Sequence, residues 1–107
     1  MSGGENISSL DVEKVLVAHP DVHEAAVIPV SDQKWGEVPK AIVVAKPGRN
    51  PSAVELLEFC RARIAHYKCP QSIEFCESLP KTATGKVLKR ELRERYKSGE
   101  MPLRSEA

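Results

Sequence analysis

Residues 79–86, with the sequence LPKTATGK, combine a turn of small residues with cationic side chains. Small residues give the backbone freedom, so we predict a flexible turn that can carry the ammonium group of Lys86 to a ligand. A compact positive charge suits a phosphate or carboxylate oxygen. The alternative is a solvated lysine at the start of a helix, where the helix dipole disfavours a cation. We predict an anion-binding role for Lys86.

Charge is distributed unevenly along the chain. Residues 1–80 hold eight basic and eleven acidic side chains, whereas residues 81–97 hold seven basic and two acidic ones. This asymmetry indicates an anionic ligand or partner. One such partner is nucleic acid, bound by the basic helix with Trp35 or Tyr67 stacking on bases. Because only 5% of the residues are aromatic, we do not expect the protein to bind nucleic acid. A small α+β nucleic-acid-binding module remains the alternative.

Capping motifs and hydrophobic periodicity predict the elements that position this turn. The pattern predicts a loop over 31–37 and an α+β domain, in which helices pack on a small three-stranded sheet with a central second strand. A short hairpin at Gly3 and Gly4 can extend that sheet. The predicted elements are a helix from Ser8 as N-cap to about Ala18, strands over 22–30 and 40–45, a helix from Ser52 to about Ala65, a strand over 72–76 and a helix over 87–96.

The three cysteines, Cys60, Cys69 and Cys76, are odd in number and have no close pair, which argues against a disulfide framework and for a reducing compartment. With His66 they can be drawn as a zinc quartet, but no Cys-x2-Cys spacing supports it. We predict buried free thiols and no metal. No apolar run approaches the ~20 residues that cross a bilayer, and the first residues lack a signal-peptide layout, so we expect a soluble protein.

Four motifs together resemble the C-terminal domain of the adenylate-forming acyl-CoA synthetases. They are SGGENIS at 2–8 with Glu13, WGE at 35–37, YKCP at 67–70, and LPKTATGK at 79–86 with Arg90 and Leu92. The resemblance covers residues 2 to about 97 and implies a mobile lid domain over residues 1–97. We expect residues 98–107 to be a flexible tail and the N-terminal ATP- and acyl-binding domain to be absent.

The resemblance implies a fragment of an ATP-dependent acid-CoA ligase, which adenylates a carboxylic acid and transfers the acyl group to coenzyme A. A fatty acid is the expected substrate, and Lys86 is the implied catalytic lysine of adenylation. The implied cofactors are coenzyme A and ATP, with Mg²⁺ held by the missing domain. The isolated domain is expected to be inactive. An adenylation domain with a carrier-protein acceptor is the alternative within the same family.

In this family the small domain rotates between the two half-reactions, so that its opposite face reaches the active site. Gly4 matches the glycine that lines the pantetheine tunnel. Cys69 and Gln71 stand where some relatives carry basic residues, a departure that affects the coenzyme A phosphate contacts. We expect a cytoplasmic protein, or an organelle matrix protein if an import signal precedes it. The implied cofactor-binding residues are Gly3, Gly4, Glu5, Trp35, Tyr67, Lys68 and Lys81.

Overall fold

The computed structural model describes residues 7–34, 36–65 and 68–97. The elements are α1 (Ile7–Val17), β1 (Val22–Asp32), β2 (Gly36–Ala45), α2 (Ala53–Arg61), β3 (Ser72–Phe75) and α3 (Lys89–Lys97). Their order and the α+β class are confirmed. The predicted hairpin at Gly3 and Gly4 and the predicted tail over 98–107 lie outside the described residues.

The three strands form one mixed sheet in the order β1-β2-β3, so β2 is central as predicted. β1 and β2 are antiparallel, and their register runs from Val22 opposite Ala45 to Asp32 opposite Gly36. β3 runs parallel to β2, with α2 as the crossover that a parallel pair requires. The predicted loop over 31–37 is wrong, because pairing continues to the end of the hairpin and leaves only 33–35 between the strands.

A β-bulge near the start of β1 sets which side chains face each side of the sheet. The register shifts between Val22 and Glu24, so one extra residue of β1 stands opposite β2. Because side chains alternate along a strand, the extra residue places Val22 on the same face as Val27, five positions later. Ala26 and Ile28 lie on the opposite face.

Helices cover both faces of the sheet, and each face has its own hydrophobic cluster. α1 and α2 pack on one face, and α3 packs on the other. The first cluster contains Val12, Leu16, Val22, Val27, Ala41, Val43, Leu56, Cys60, Cys69 and Ile73. The second cluster contains Ala26, Ile28, Ile42, Val44, Cys76, Leu79 and Leu92.

The predicted helix starts agree with the structure at α2 and not at α1. Ser52 is the N-cap of α2, with φ −91° and ψ 158°, and its hydroxyl accepts a hydrogen bond from Glu55 N–H over 3.0 Å. α1 begins at Ile7, so Ser8 lies inside that helix and the N-cap prediction is wrong. Among the described residues, no helix has the length and apolar character needed to cross a membrane.

α2 is shorter than predicted. It ends at Arg61, four residues before the predicted end at Ala65, and Ala62 is its C-cap. The amides of Arg63 and Ile64 both donate to the Cys60 carbonyl, at 3.0 and 2.9 Å. The bond from Arg63 spans three residues instead of the four of an α-helix, so it tightens the last turn at the point where the chain leaves the helix.

Candidate functional site

The predicted flexible turn over 79–86 is instead closed by backbone pairing. Lys81 and Val87 form an antiparallel bridge. One residue further out on each side, Leu88 N–H donates to the Pro80 carbonyl over 2.8 Å. Because these contacts join both ends of the segment, residues 80–88 form a closed turn with a defined shape.

Hydrogen bonds inside the closed turn fix the backbone of Lys86. Its carbonyl accepts from Thr82 N–H at 2.8 Å, and its amide donates to the Thr82 hydroxyl at 3.1 Å. The Gly85 amide donates to the Thr82 carbonyl at 2.9 Å, and the hydroxyls of Thr82 and Thr84 lie 2.9 Å apart. Gly85 has φ +91°, a conformation that a β-carbon disfavours. These residues therefore hold the turn in shape, although their small size alone predicted only a flexible backbone.

α3 begins two residues later than predicted. Val87 and Leu88 belong to the closed turn, and the amide of Leu92 donates to the Leu88 carbonyl at 3.1 Å. The helix therefore starts at Lys89. Lys86 lies three residues before α3 and not at its first turn, so the expected unfavourable interaction between its charge and the helix dipole does not apply.

Three lysines of this region differ in their surroundings. Lys81 Nζ forms an ion pair with Glu24 Oε2, and Lys89 Nζ lies 2.5 Å from Glu13 Oε2. The Lys86 side chain is exposed, and no salt bridge joins it to a carboxylate of the described residues. Of these three lysines, Lys86 is the one whose side chain is exposed and has no salt bridge to a carboxylate of the described residues.

A groove of about 320 Å³ lies between α1, β1 and the closed turn. Glu13 and Lys89 form an ion pair inside it, so Lys86 gives its lining a net positive charge. Glu13 Oε2 also accepts a hydrogen bond from Val27 N–H on β1 at 2.8 Å, which fixes this carboxylate. The residues lining the groove are Leu10, Glu13, Ala25, Ala26, Lys86, Val87 and Lys89.

The predicted cofactor-binding residues fall into three groups. Lys81 shares the closed turn with Lys86, and its ammonium is held by Glu24. Lys68 lies against α1, with Nζ 3.4 Å from Asp11 Oδ2, and does not line the groove. The third group lies outside the described residues and comprises Gly3, Gly4, Glu5, Trp35 and Tyr67.

All three cysteines are free and buried, as predicted. Burial raises the pKa of Cys60 to about 11, with a smaller contribution from Cys69, and burial also raises the pKa of Cys76 to about 11. Burial raises the pKa of Cys69 as well. Cys76 belongs to the cluster on the opposite face of the sheet from the other two thiols, so the three do not converge on one metal. His66 lies outside the described residues.

His19, Asp21 and Glu55 offer ligand atoms within 4.8 Å of one another. The Nδ1 atom of the buried His19 ring accepts a hydrogen bond from Asp21 N–H at 3.0 Å. The neutral ring therefore carries its proton on Nε2 and donates it to Glu55 Oε2, 2.9 Å away. Both ring nitrogens are occupied by hydrogen bonds, so we assign this cluster to fixing α2 beside the end of α1.

Sequence reasoning missed Glu24, the partner of Lys81. These residues are 57 positions apart, and Glu24 sits in a strand with no motif around it. The sequence also contains no indication of the partners of Glu13, whose carboxylate lies largely buried between Val27 N–H and Lys89. In both cases the signal is a contact between distant segments, which a local pattern does not contain.

Comparison with known proteins agrees with this architecture. Residues 11–86 match the family described as AMP-binding enzyme C-terminal domain. The chain is 48% identical over 96 residues to 2-methylpropanoate-CoA ligase CCL4 of Humulus lupulus, covering 88% of this chain and 17% of that enzyme.

Two solved structures share the fold. The Mycobacterium tuberculosis fatty acyl CoA synthetase superimposes with a TM-score of 0.80 at 44% identity, over 92% of this chain and 19% of that one. ATP-bound MatB from Rhodopseudomonas palustris gives a TM-score of 0.78 at 34% identity, over 83% of this chain and 18% of that one. The chain thus spans under a fifth of the length of these relatives. It belongs to the family of AMP-binding enzyme C-terminal domains, whose members include acyl-CoA synthetases and other acid-CoA ligases.

Proposed function

We propose that this chain is the C-terminal lid domain of an ATP-dependent acid-CoA ligase and that Lys86 is its catalytic lysine for adenylation. One observation carries the proposal. The closed turn exposes Lys86 beside a groove, while the neighbouring ammonium groups of Lys81 and Lys89 are held by carboxylates. The relatives that are CoA ligases support the same reaction class.

In adenylation, a lysine in this position can stabilise negative charge. A substrate carboxylate oxygen attacks the α-phosphorus of ATP, the new C–O–P linkage forms, and the bond to pyrophosphate breaks. Two anions approach each other in this step. The Lys86 ammonium offsets their repulsion while charge redistributes over the phosphoryl oxygens. A closed turn suits this role because a preorganised charge needs little rearrangement during the reaction.

We further propose that thioester formation uses another face of this domain after it rotates relative to an N-terminal domain of the same polypeptide. In that state Gly4 lines the pantetheine tunnel beside Gly3 and Glu5, and Trp35 and Tyr67 flank the adenine of coenzyme A. This assignment is supported by the motif resemblance. A fatty acid is the proposed substrate class, supported by the name of the mycobacterial relative.

The test is Lys86→Ala in a polypeptide that joins this chain to an N-terminal adenylate-forming domain. We expect ATP-pyrophosphate exchange to fall about 100-fold to 1,000-fold, the usual loss on removing one preorganised transition-state donor. Transfer to coenzyme A from supplied acyl-adenylate should stay within about twofold, because it does not pass through the first transition state.

The matched control is Lys46→Ala, which removes an exposed lysine from the segment that follows β2. We expect both half-reactions to be unchanged in this variant. If Lys86→Ala slows both half-reactions equally, or leaves pyrophosphate exchange intact, Lys86 is not the adenylation lysine.

A further inference from the structure

We propose that Glu24 is a positioning residue for adenylation: its carboxylate holds Lys81 and thereby fixes the closed turn that presents Lys86. This inference rests on the proposed function of Lys86. It also assigns to Lys81 a structural partner within the domain, in place of the direct cofactor contact expected from the sequence.

The Glu24–Lys81 ion pair joins two segments whose backbones are already fixed. Glu24 stands opposite Val44 in the β1–β2 ladder, and Lys81 is bridged to Val87. The side chains are 21% and 35% exposed, so the pair is partly shielded from water. An ion pair loses less conformational entropy when it forms between residues whose backbones are already fixed than between residues of mobile segments. His23 Nε2 lies 3.9 Å from the same oxygen, Glu24 Oε2, which Lys81 approaches more closely.

Movement of Lys81 is transmitted to Lys86 through few bonds. Lys81 faces Val87, the residue after Lys86, across the bridge. Thr82, the residue after Lys81, makes two hydrogen bonds to the backbone of Lys86. The end of the turn that leads into α3 is held separately, because Lys89, the first residue of α3, pairs with Glu13. Release of Lys81 would therefore loosen one side of the turn and leave the other attached.

Glu24 also neutralises a competing charge. Lys81 and Lys86 lie on the same turn, and a free ammonium at Lys81 would offer the substrate anions a second partner in the wrong place. Ground-state binding to such a group does not accelerate the chemical step. With Lys81 engaged by Glu24, the anions meet the Lys86 ammonium on this turn.

The first test uses the 107-residue chain alone and measures amide hydrogen exchange at Thr82 and Lys86. We expect Glu24→Gln to speed exchange at both amides about twofold to fivefold, in line with the loss of one partly exposed ion pair. Exchange at amides of β2 should not change. Unaltered exchange at Thr82 and Lys86 would overturn the proposal, whatever the chain's activity.

The second test uses the two-domain polypeptide. Glu24→Gln should slow ATP-pyrophosphate exchange about twofold to fivefold and leave transfer from supplied acyl-adenylate unchanged. The reversed pair, Glu24→Lys with Lys81→Glu, should restore part of the exchange rate, because it re-forms the ion pair. Full activity in Glu24→Gln, or equal losses in both half-reactions, would overturn the positioning role.

Glu91→Gln is the matched control, since it removes an ion pair from α3, where Glu91 Oε2 lies 2.8 Å from Arg95 Nη2, and leaves the closed turn intact. We expect wild-type behaviour in both tests. A failure of the proposed function would show as normal pyrophosphate exchange in Lys86→Ala. That result is distinct from a failure of Glu24, which the amide exchange measurement reports independently.

Discussion

Cys60 and Cys76 hold their thiol protons more tightly in the folded protein than in water, because burial raises both pKa values from 9.0 to about 11. Their neutral forms therefore stabilise the fold fully below pH 9 and lose that contribution as the pH rises toward 11. Each thiol contributes up to about 3 kcal/mol to the total loss of stability over this range. We expect the free energy of unfolding, measured by urea titration, to fall across that pH range.

The control for this pH dependence is the double variant Cys60→Ala and Cys76→Ala. Lysine and tyrosine side chains titrate in the same range, so the informative quantity is the difference in slope between the variant and the wild type. The variant should start less stable, because it loses buried volume, and should show a shallower fall. Equal slopes would mean that these thiols have the same pKa in the folded and unfolded states, so that burial does not raise it.

At the scale of single residues, the sequence predicted an anion-binding role for Lys86 but did not predict the carboxylates that pair with the neighbouring lysines. Lys86 was recognisable because its turn of small residues is a local pattern. Glu24 and Glu13 form ion pairs with Lys81 and Lys89, and these contacts exist only once β1, α1 and the turn are assembled. A carboxylate on a strand has the same local sequence whether it is solvated or paired.

At the scale of elements, the N-cap of α2 offers a clean measurement. Ser52→Ala removes the hydroxyl that accepts from Glu55 N–H and leaves that amide without its cap. We expect a loss of about 1 kcal/mol in the free energy of unfolding, or roughly 4 to 8 °C in Tm. Ser52→Thr keeps an acceptor oxygen and should lose less. A full loss in the threonine variant would indicate a steric effect in place of capping.

Element boundaries could be predicted where local chemistry sets them and not where pairing between distant segments does. Ser52 caps α2 through a residue three positions away, so the sequence contained that signal. The start of α3 depends on Val87 pairing with Lys81. The loop is shorter than the predicted 31–37 because the pairing of β1 with β2 continues to Asp32 opposite Gly36. The periodicity of hydrophobic residues is a property of one segment, so it does not predict backbone pairing between two segments that are distant in sequence.

At the scale of the whole molecule, the two hydrophobic clusters share the same strands. On β2, Ala41 and Val43 belong to the first cluster, while Ile42 and Val44 belong to the second. Loss of a helix from either face would expose one side of the strands that also hold the other cluster. The domain should therefore unfold as one unit. A domain with such coupled faces can move as a rigid body, as the proposed lid rotation requires.

Leu92→Ala tests this coupling, because Leu92 is the fully buried residue through which α3 joins the second cluster. We expect the free energy of unfolding to fall by about 2 to 5 kcal/mol, a large part of the total of about 5 to 15 kcal/mol for a domain. Amide protection should fall together in α3 and in α2, on the opposite face. Val54→Ala, at a side chain that is 64% exposed, is the control and should change stability little. Lost protection in α3 with unchanged protection in α2 would show instead that α3 detaches alone, and the turn before it would then lack a rigid support.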